Sequence, residues 1–252
     1  MNRAREQRGR EQKEKDPKLR RNARAKEEDM EIQRIEQELT RREQALANWA
    51  PKTELGKAVK AGKINSIDEI FEKGMRIMEP EIVDTFLKLE EDVVEVEKTT
   101  RVVLSGRKFS YRAAVLVGDK NGHIGLGTAK DVDRFPAITK ARRYAKLNLI
   151  KINRGSGSWE EQPTEDKHSI PFKVTGKSGS VKVTIIPAPK GTGLAVGKNI
   201  RAVFVLAGIQ NIWSKASGRS SVKLNFTQAA MDALAKLSQI KSTKDLEKKL
   251  SK

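Results

Sequence analysis

SGRKFSYRAAVLVGDKNGHIGLGTAK, residues Ser105 to Lys130, decides how the chain folds. Phe109, Tyr111, Ala113, Val115 and Val117 alternate with Ser110, Arg112, Ala114 and Leu116, the period of two expected of a strand. Gly118-Asp119-Lys120-Asn121-Gly122 then supplies turn chemistry, because Asn-Gly accepts positive φ, and His123 to Gly127 returns as a second arm. Gly125 and Gly127 weaken a strand interior, so either a bulge or another backbone is expected against that arm, with loose packing as the alternative. Upstream, Val93, Val94, Val96 and Val102 to Leu104 read as a first strand running into this hairpin. Downstream, Pro136 opens a helix whose buried stripe is Ile138, Ala141, Ala145 and Leu149, with Lys140, Arg142, Arg143 and Lys146 projecting elsewhere.

The order β-β-β-α is that of a double-stranded-RNA-binding-like domain, which reads duplex shape and phosphates more than sequence. Arg107, Lys108 and Arg112 fall at or just after the first turn, where long cationic side chains reach phosphates. The alternative is an ordinary solvated loop.

The distribution of charge supports a polyanion partner. The formal net charge is +18, from 51 Lys and Arg against 33 Asp and Glu. Residues 1–48 carry +3, 49–98 carry −4, 99–237 carry +16 and 238–252 carry +3. The excess therefore lies in the folded middle, where self-repulsion needs an anionic offset, and replacing the counterions of phosphates supplies one. With no cysteine, disulfides and thiolate metal sites are excluded. No apolar run approaches the ~18 residues of a membrane span, and the first residues are too charged for a secretory signal; a cytoplasmic protein is expected.

Residues 2–48 mix both charges. Ile32, Ile35, Leu39 and Leu46 recur at helical spacing there, on a stripe suited either to docking or to a single solvated helix. Between Pro51 and Leu87 three short helices are expected: one from Thr53 to Gly62, one capped by a Ser66/Glu69 box, and one opened by Pro80. The carboxylates of this acidic region lack a histidine, nucleophile or glycine-rich pocket beside them, which argues for a solvated or protein-facing surface over a catalytic pair.

Asn153 to His168 reads as a linker, in which Trp159 either stacks on a base or anchors the segment. Ile170–Thr175 and Val181–Ile186 form a second hairpin across Gly176 to Gly179. Gly191-x-Gly193-x-x-x-Gly197 is one residue off a dinucleotide fingerprint, with no ribose-binding acid some 20 residues on and no Walker lysine. Its glycines fit close approach to an RNA phosphate or a neighbouring protein, with Lys190, Lys198 and Arg201 supplying charge. Then follow a helix carrying Ile200, Val203, Phe204 and Ala207 and ended by Gly208, a strand Ile209–Trp213, a basic loop Ser214–Arg219, and a last helix capped by Asn225.

Taken together, SGRKFSYRAAVLVGDKNGHIGLG, SIPFKVTGKSGSVKVTIIPAPKGTGL (Ser169–Leu194) and WAPKTELGKAVKAGKINSIDEIF (Trp49–Phe71) resemble the ribosomal protein S-five family, the last stretch resembling its archaeal and eukaryotic branch, with an archaeal-type protein indicated. The resemblance spans residues 49–237; nothing before Trp49 takes part. It implies a structural constituent of the small ribosomal subunit, an rRNA binder that supports assembly and influences translational accuracy and mRNA entry, with S-four and S-eight as protein neighbours. Cysteines that the resemblance suggests for archaeal relatives are replaced here by Ser156 and Ser178, so no metal site is expected, and His168 reads as a loop histidine.

The expected fold is α+β with two small domains: a β-β-β-α domain at 93–152 and a β-β-α-β-α domain at 169–237. Segment 1–48 is expected to be a charged extension, either helical or disordered, 49–92 a helical segment, 153–168 the linker and 238–252 a basic tail. The expected RNA-binding set is Arg107, Lys108, Arg112, Lys120, Arg142, Arg143, Lys177, Lys190, Lys198, Lys215 and Arg219. Neither catalysis, cofactor, metal, membrane contact nor a small-molecule substrate is expected. The competing reading is a free double-stranded-RNA-binding regulator, for which the first domain alone would suffice.

Overall fold

Glu90 to Val103 forms one 14-residue strand, β1, and it pairs antiparallel with β2, Gly106 to Gly118, along its whole length. These elements come from a computed structural model that describes residues 49–155 and 167–239. Expectations for 1–48, for Ser156 and Trp159 in the linker, and for the tail beyond residue 239 lie outside the described residues. The described residues from Pro51 onward belong to one compact unit.

Three short helices precede β1: α1 (Glu54–Lys60), α2 (Ile67–Glu72) and α3 (Pro80–Phe86). The Thr53 hydroxyl caps α1 by accepting from Gly56 N at 3.1 Å. Glu79 Oε1 accepts from Thr53 N at 2.6 Å and Lys52 N at 2.9 Å, which ties the start of α3 to the start of α1. The expected capping box does not form. The Ser66 hydroxyl donates to Glu69 Oε1 at 3.3 Å, so each partner satisfies the other and neither reaches a backbone N–H. Helix α2 is held instead by burial of Ile67 and Ile70.

The first sheet has the order β1-β2-β3-β4, with β3 at His123–Asp131 and β4 at Leu149–Lys151. Helix α4 (Arg134–Leu147) packs on one face, where Ala137, Ala141 and Ala145 meet Ala113, Val115, Val117 and Ala129. The glycines of β3 make that packing possible. A Cβ on Gly125 would collide with the Ala145 carbonyl, and one on Gly127 with backbone atoms of Ala141 and Ala145. The backbone expected against this arm is therefore α4. Leu149, expected on the helix, instead begins β4, because the helix stops at Leu147 with Asn148 as its C-cap.

The second sheet, order β5-β6-β8-β7, comprises β5 (Val174–Ser178), β6 (Val181–Pro187), β7 (Leu194–Ala195) and β8 (Ile212–Ser217). Between β7 and β8 a 3-10 turn (Lys198–Ile200) leads into α5 (Arg201–Leu206), and α6 (Lys223–Gln239) covers the inner face. Three boundaries differ from expectation. Gly176 and Lys177 lie in β5, and the turn is tighter, with Gly179 at φ +59. Strand β8 starts later and runs through Ser214 and Lys215, because the turn after α5 takes Gly208 into the left-handed region and draws Ile209 N onto Phe204 O. Asn225 lies inside α6, which starts at Lys223.

The two sheets share apolar interior. Leu116, Ile124 and Ile152 of the first region join Val183, Ile185, Val203, Phe204, Leu234 and Leu237 in one cluster. Ala113 to Val117 are consequently buried on both faces of β2. The architecture is the expected two-domain α+β arrangement, with β4 and β7 as short additional strands.

Candidate nucleic-acid interface

Strand β3 pairs with β2 only as far as Tyr111↔Asp131, whereas β1 and β2 continue paired to Val103↔Gly106. Beyond Tyr111 they form a two-stranded ribbon about 17 Å long at ~3.4 Å per residue, with no third strand among the described residues. Arg101 stands opposite Lys108, and Val102 opposite Arg107. All four are exposed, as is Leu104 at the tip. Lys98 lies over the Phe109 ring, 4.0 Å from its centroid. Among the described residues no carboxylate pairs with Arg101, Arg107 or Lys108.

The body of the first sheet is different. Arg112 pairs with Glu97, Lys120 with Glu90 and Arg142 with Glu91. Lys223 of α6 reaches Glu95 at 3.7 Å. Four carboxylates of β1 thus take cations of the same chain, and Lys146 of α4 binds Asp84 of α3 at 2.7 Å. The acidity of residues 49–98 is partly turned onto the protein itself. Cations already matched this way release fewer counterions on meeting RNA than the ribbon cations do. Of the other expected contacts, Arg143, Lys177, Lys190, Lys198, Lys215 and Arg219 are all exposed. The structure does not gather the eleven residues into one patch. Arg107 and Lys108 share the ribbon with Arg112 further along the same strand, Arg142 and Arg143 share α4, and Lys177 and Lys215 the second sheet.

Two groups that sequence reading missed organise the region. Arg154 donates to the carbonyls of Asn121 (3.1 Å), Gly208 (3.3 Å) and Lys120 (3.4 Å), fastening the β2–β3 turn to the turn after α5. Lys120 N also donates to Leu206 O at 2.9 Å. No motif announces such a role; an arginine in a linker looks solvated. The second group is His123, with Nδ1 2.6 Å from Asp119 Oδ2, Nε2 3.2 Å from Asp68 Oδ1, and its ring stacked on Phe71. Lys151 also binds Asp68, at 2.8 Å.

Burial alone would lower the His123 pKa, but the hydrogen bonds and charges of Asp119 and Asp68 outweigh it and hold the imidazole above its ordinary value. A raised histidine pKa means stabilisation fully present below about 6.5 and lost as pH rises through the folded value. We therefore expect urea stability to fall between pH 6 and the alkaline side of neutrality, with His123→Gln flattening the dependence. An identical pH profile in that variant would show that the clamp contributes nothing.

The Gly191 loop frames an open groove of about 720 Å³ lined by Arg154, Lys167, His168, Lys190, Gly191, Gly193, Gly208, Gln210 and Asn211. Gly193 N donates to Asn211 Oδ1 at 2.9 Å, while Asn211 Nδ2 meets His168 Nδ1 at 3.0 Å. The Gly193 N–H that a nucleotide loop would aim at phosphate is spent on the protein, which speaks against the dinucleotide reading. His168 is buried and tied to the segment before β8, through Asn211 Nδ2 and through its own carbonyl, which accepts from Gln210 N at 2.9 Å. Among the described residues no group of three or more potential ligands is placed to hold a metal ion, and no helix is long and apolar enough to cross a membrane.

The fold and its exposed cations define a basic, two-sheet α+β protein. Family comparison agrees with both halves: the ribosomal protein S5 N-terminal domain matches residues 89–153 and the ribosomal protein S5 C-terminal domain matches 176–249. The small ribosomal subunit protein uS5 of Methanothermobacter thermautotrophicus is 49% identical over 204 residues, 80% of this chain and 94% of that protein. Its namesakes from Methanosphaera stadtmanae (48%; 80% and 89% covered) and Pyrobaculum aerophilum (46%; 75% and 87% covered) are similar as well. The chain belongs to the ribosomal protein S5 family, in its archaeal-type branch.

Proposed function

We propose that this chain is a structural constituent of the small ribosomal subunit in the cytoplasm, where it binds rRNA. The observation that carries the reading from the structure is the cationic ribbon, whose Arg101, Arg107 and Lys108 have no carboxylate partner among the described residues and stand clear of the body. Such a ribbon suits insertion between phosphate backbones. The finer roles, support of subunit assembly and influence on accuracy and mRNA entry beside proteins S-four and S-eight, rest on family membership. The proposed division of labour gives RNA reading first to 93–152, with 169–237 as a second body, and assigns the chain no catalysis.

The free-regulator alternative loses its main attraction once the shared interior is considered. Cut away from the second sheet, the first domain would expose Leu116 and Ile124, both fully buried. Two measurements test the proposal. Sedimentation of a gentle extract should place the protein with small subunits through a moderate salt wash; recovery mainly among free proteins would favour the regulator. Arg107→Ala combined with Lys108→Ala should weaken RNA binding and lessen the log–log salt slope by about 1.5. An unchanged slope would remove the ribbon from the interface.

A further inference from the structure

The second sheet carries α6 on its inner face and no described element on its outer one. Alternation along β5, β6 and β8 sorts the side chains: Val174, Val181, Val183, Ile185 and Ile212 point inward and are buried, while their neighbours point outward. Pairing then sets the outward groups in rows. Lys177 is opposite Lys182, which is opposite Ser217; Thr184 is opposite Lys215; and Trp213, 42% exposed, closes the face beside Ile186.

Three features distinguish this surface. None of β5, β6, β7 or β8 contains an Asp or Glu, in contrast to β1, whose carboxylates neutralise the cations around it. Lys177, Lys182 and Lys215 make no side-chain hydrogen bond or ion pair with any described residue, and like charges directly opposite on neighbouring strands disfavour the sheet. A large exposed aromatic ring, Trp213, stands in the row next to Lys215, at one end of the lysine-bearing rows. Lysines that repel one another with no internal relief call for an anionic occupant, and the ring calls for one with π-faces.

We propose that this outer face binds single-stranded RNA, with Trp213 stacking on a base at one end of the face and Lys215 and Lys182, in the next two rows, contacting successive phosphates to one side of it. A duplex is the poorer occupant, since its bases are already stacked on each other, whereas an open strand offers them to an aromatic platform. The threonine and serine hydroxyls between the lysines suit sugar and phosphate oxygens. Lys177 and Lys215 are visible in sequence as basic residues; Lys182 and Trp213 join them only through the strand register. This inference rests on the RNA-binding function proposed above and extends it to a second surface and a second form of RNA.

The test uses the full chain and a labelled mixed-sequence RNA of about 12 nucleotides, within the usual span of such platforms, alongside the same sequence as a duplex. Trp213→Ala should weaken single-strand binding about tenfold with an unchanged salt slope, and Trp213→Phe, which keeps a stacking ring, should stay within about threefold of the parent. Lys182→Ala with Lys215→Ala should reduce the salt slope by about 1.4. Duplex binding should be unaffected in all three, and circular dichroism should confirm that each is folded. Parental single-strand affinity and slope in both the Trp213→Ala and the double-lysine variants would overturn the proposal while leaving the ribbon's role intact. Failure of the parent chain to bind either RNA would instead overturn the RNA-binding reading itself. Variants that keep RNA affinity but no longer enter particles would assign the face to a protein and likewise refute it.

Discussion

Gly127→Ala should cost about 3 kcal/mol or more of stability, lowering the melting temperature by about 10 °C in a protein of this size. The reason is steric and local. Gly127 sits in β3 under α4, and an added Cβ would overlap the carbonyl oxygen of Ala141 and the amide of Ala145. Those are backbone atoms within the helix, so no rotamer change relieves the clash; α4 must lift from the sheet and loosen Ala137, Ala141 and Ala145 from their contacts. Gly62→Ala makes the informative comparison. It adopts φ +69 with nothing within 4 Å of a Cβ, so only the left-handed strain of about 1–2 kcal/mol applies. Comparable losses in the two variants would mean that close helix–sheet approach is not what the glycine provides.

A second large effect is expected at Gly208. Here the two causes coincide, since φ is +73 and a Cβ would fall on the Lys120 carbonyl of the β2–β3 turn. Gly208→Ala should therefore both strain the turn after α5 and push it off the first sheet, with a loss of at least about 3 kcal/mol. Arg154→Ala, which removes donors to Lys120, Asn121 and Gly208 without adding bulk, should cost only about 1–2 kcal/mol. Limited proteolysis of the Gly118–Gly122 turn offers an independent readout, with cleavage fast in Gly208→Ala and slower in Arg154→Ala. If the arginine variant proved the more susceptible, hydrogen bonding and not close backbone approach would be what joins the two sheets.

Both predictions concern backbone proximity, and that is where reading the chain alone met its limit. The spacing of Gly125 and Gly127 shows that something must lie close, but a bulge and a helix satisfy it equally; contact with α4 decides. The candidate interface follows the same pattern. Arg107 and Lys108 are legible as exposed cations because a turn between two strands must project them. Arg112, Lys120 and Arg142 looked equivalent, and only the register of β1 reveals Glu97, Glu90 and Glu91 beside them. Reading Ser214 and Lys215 as loop concealed the alternation that puts Trp213, Lys215 and Ser217 on one face of β8. That boundary depends on where Gly208 turns the chain.

The sequence by itself determined the α+β class, the order of the main strands and helices, the basic turn between the first two strands, and the family. These follow from local periodicity, turn chemistry and charge, which act between residues near one another along the chain. Tertiary structure alone decided which cations are neutralised, that β2 is buried on both faces, that His123 clamps α2 to the hairpin, and that a lysine-bearing sheet face has no described element over it. Each of these depends on groups tens of residues apart meeting at a particular register, and local propensity carries no information about that distance.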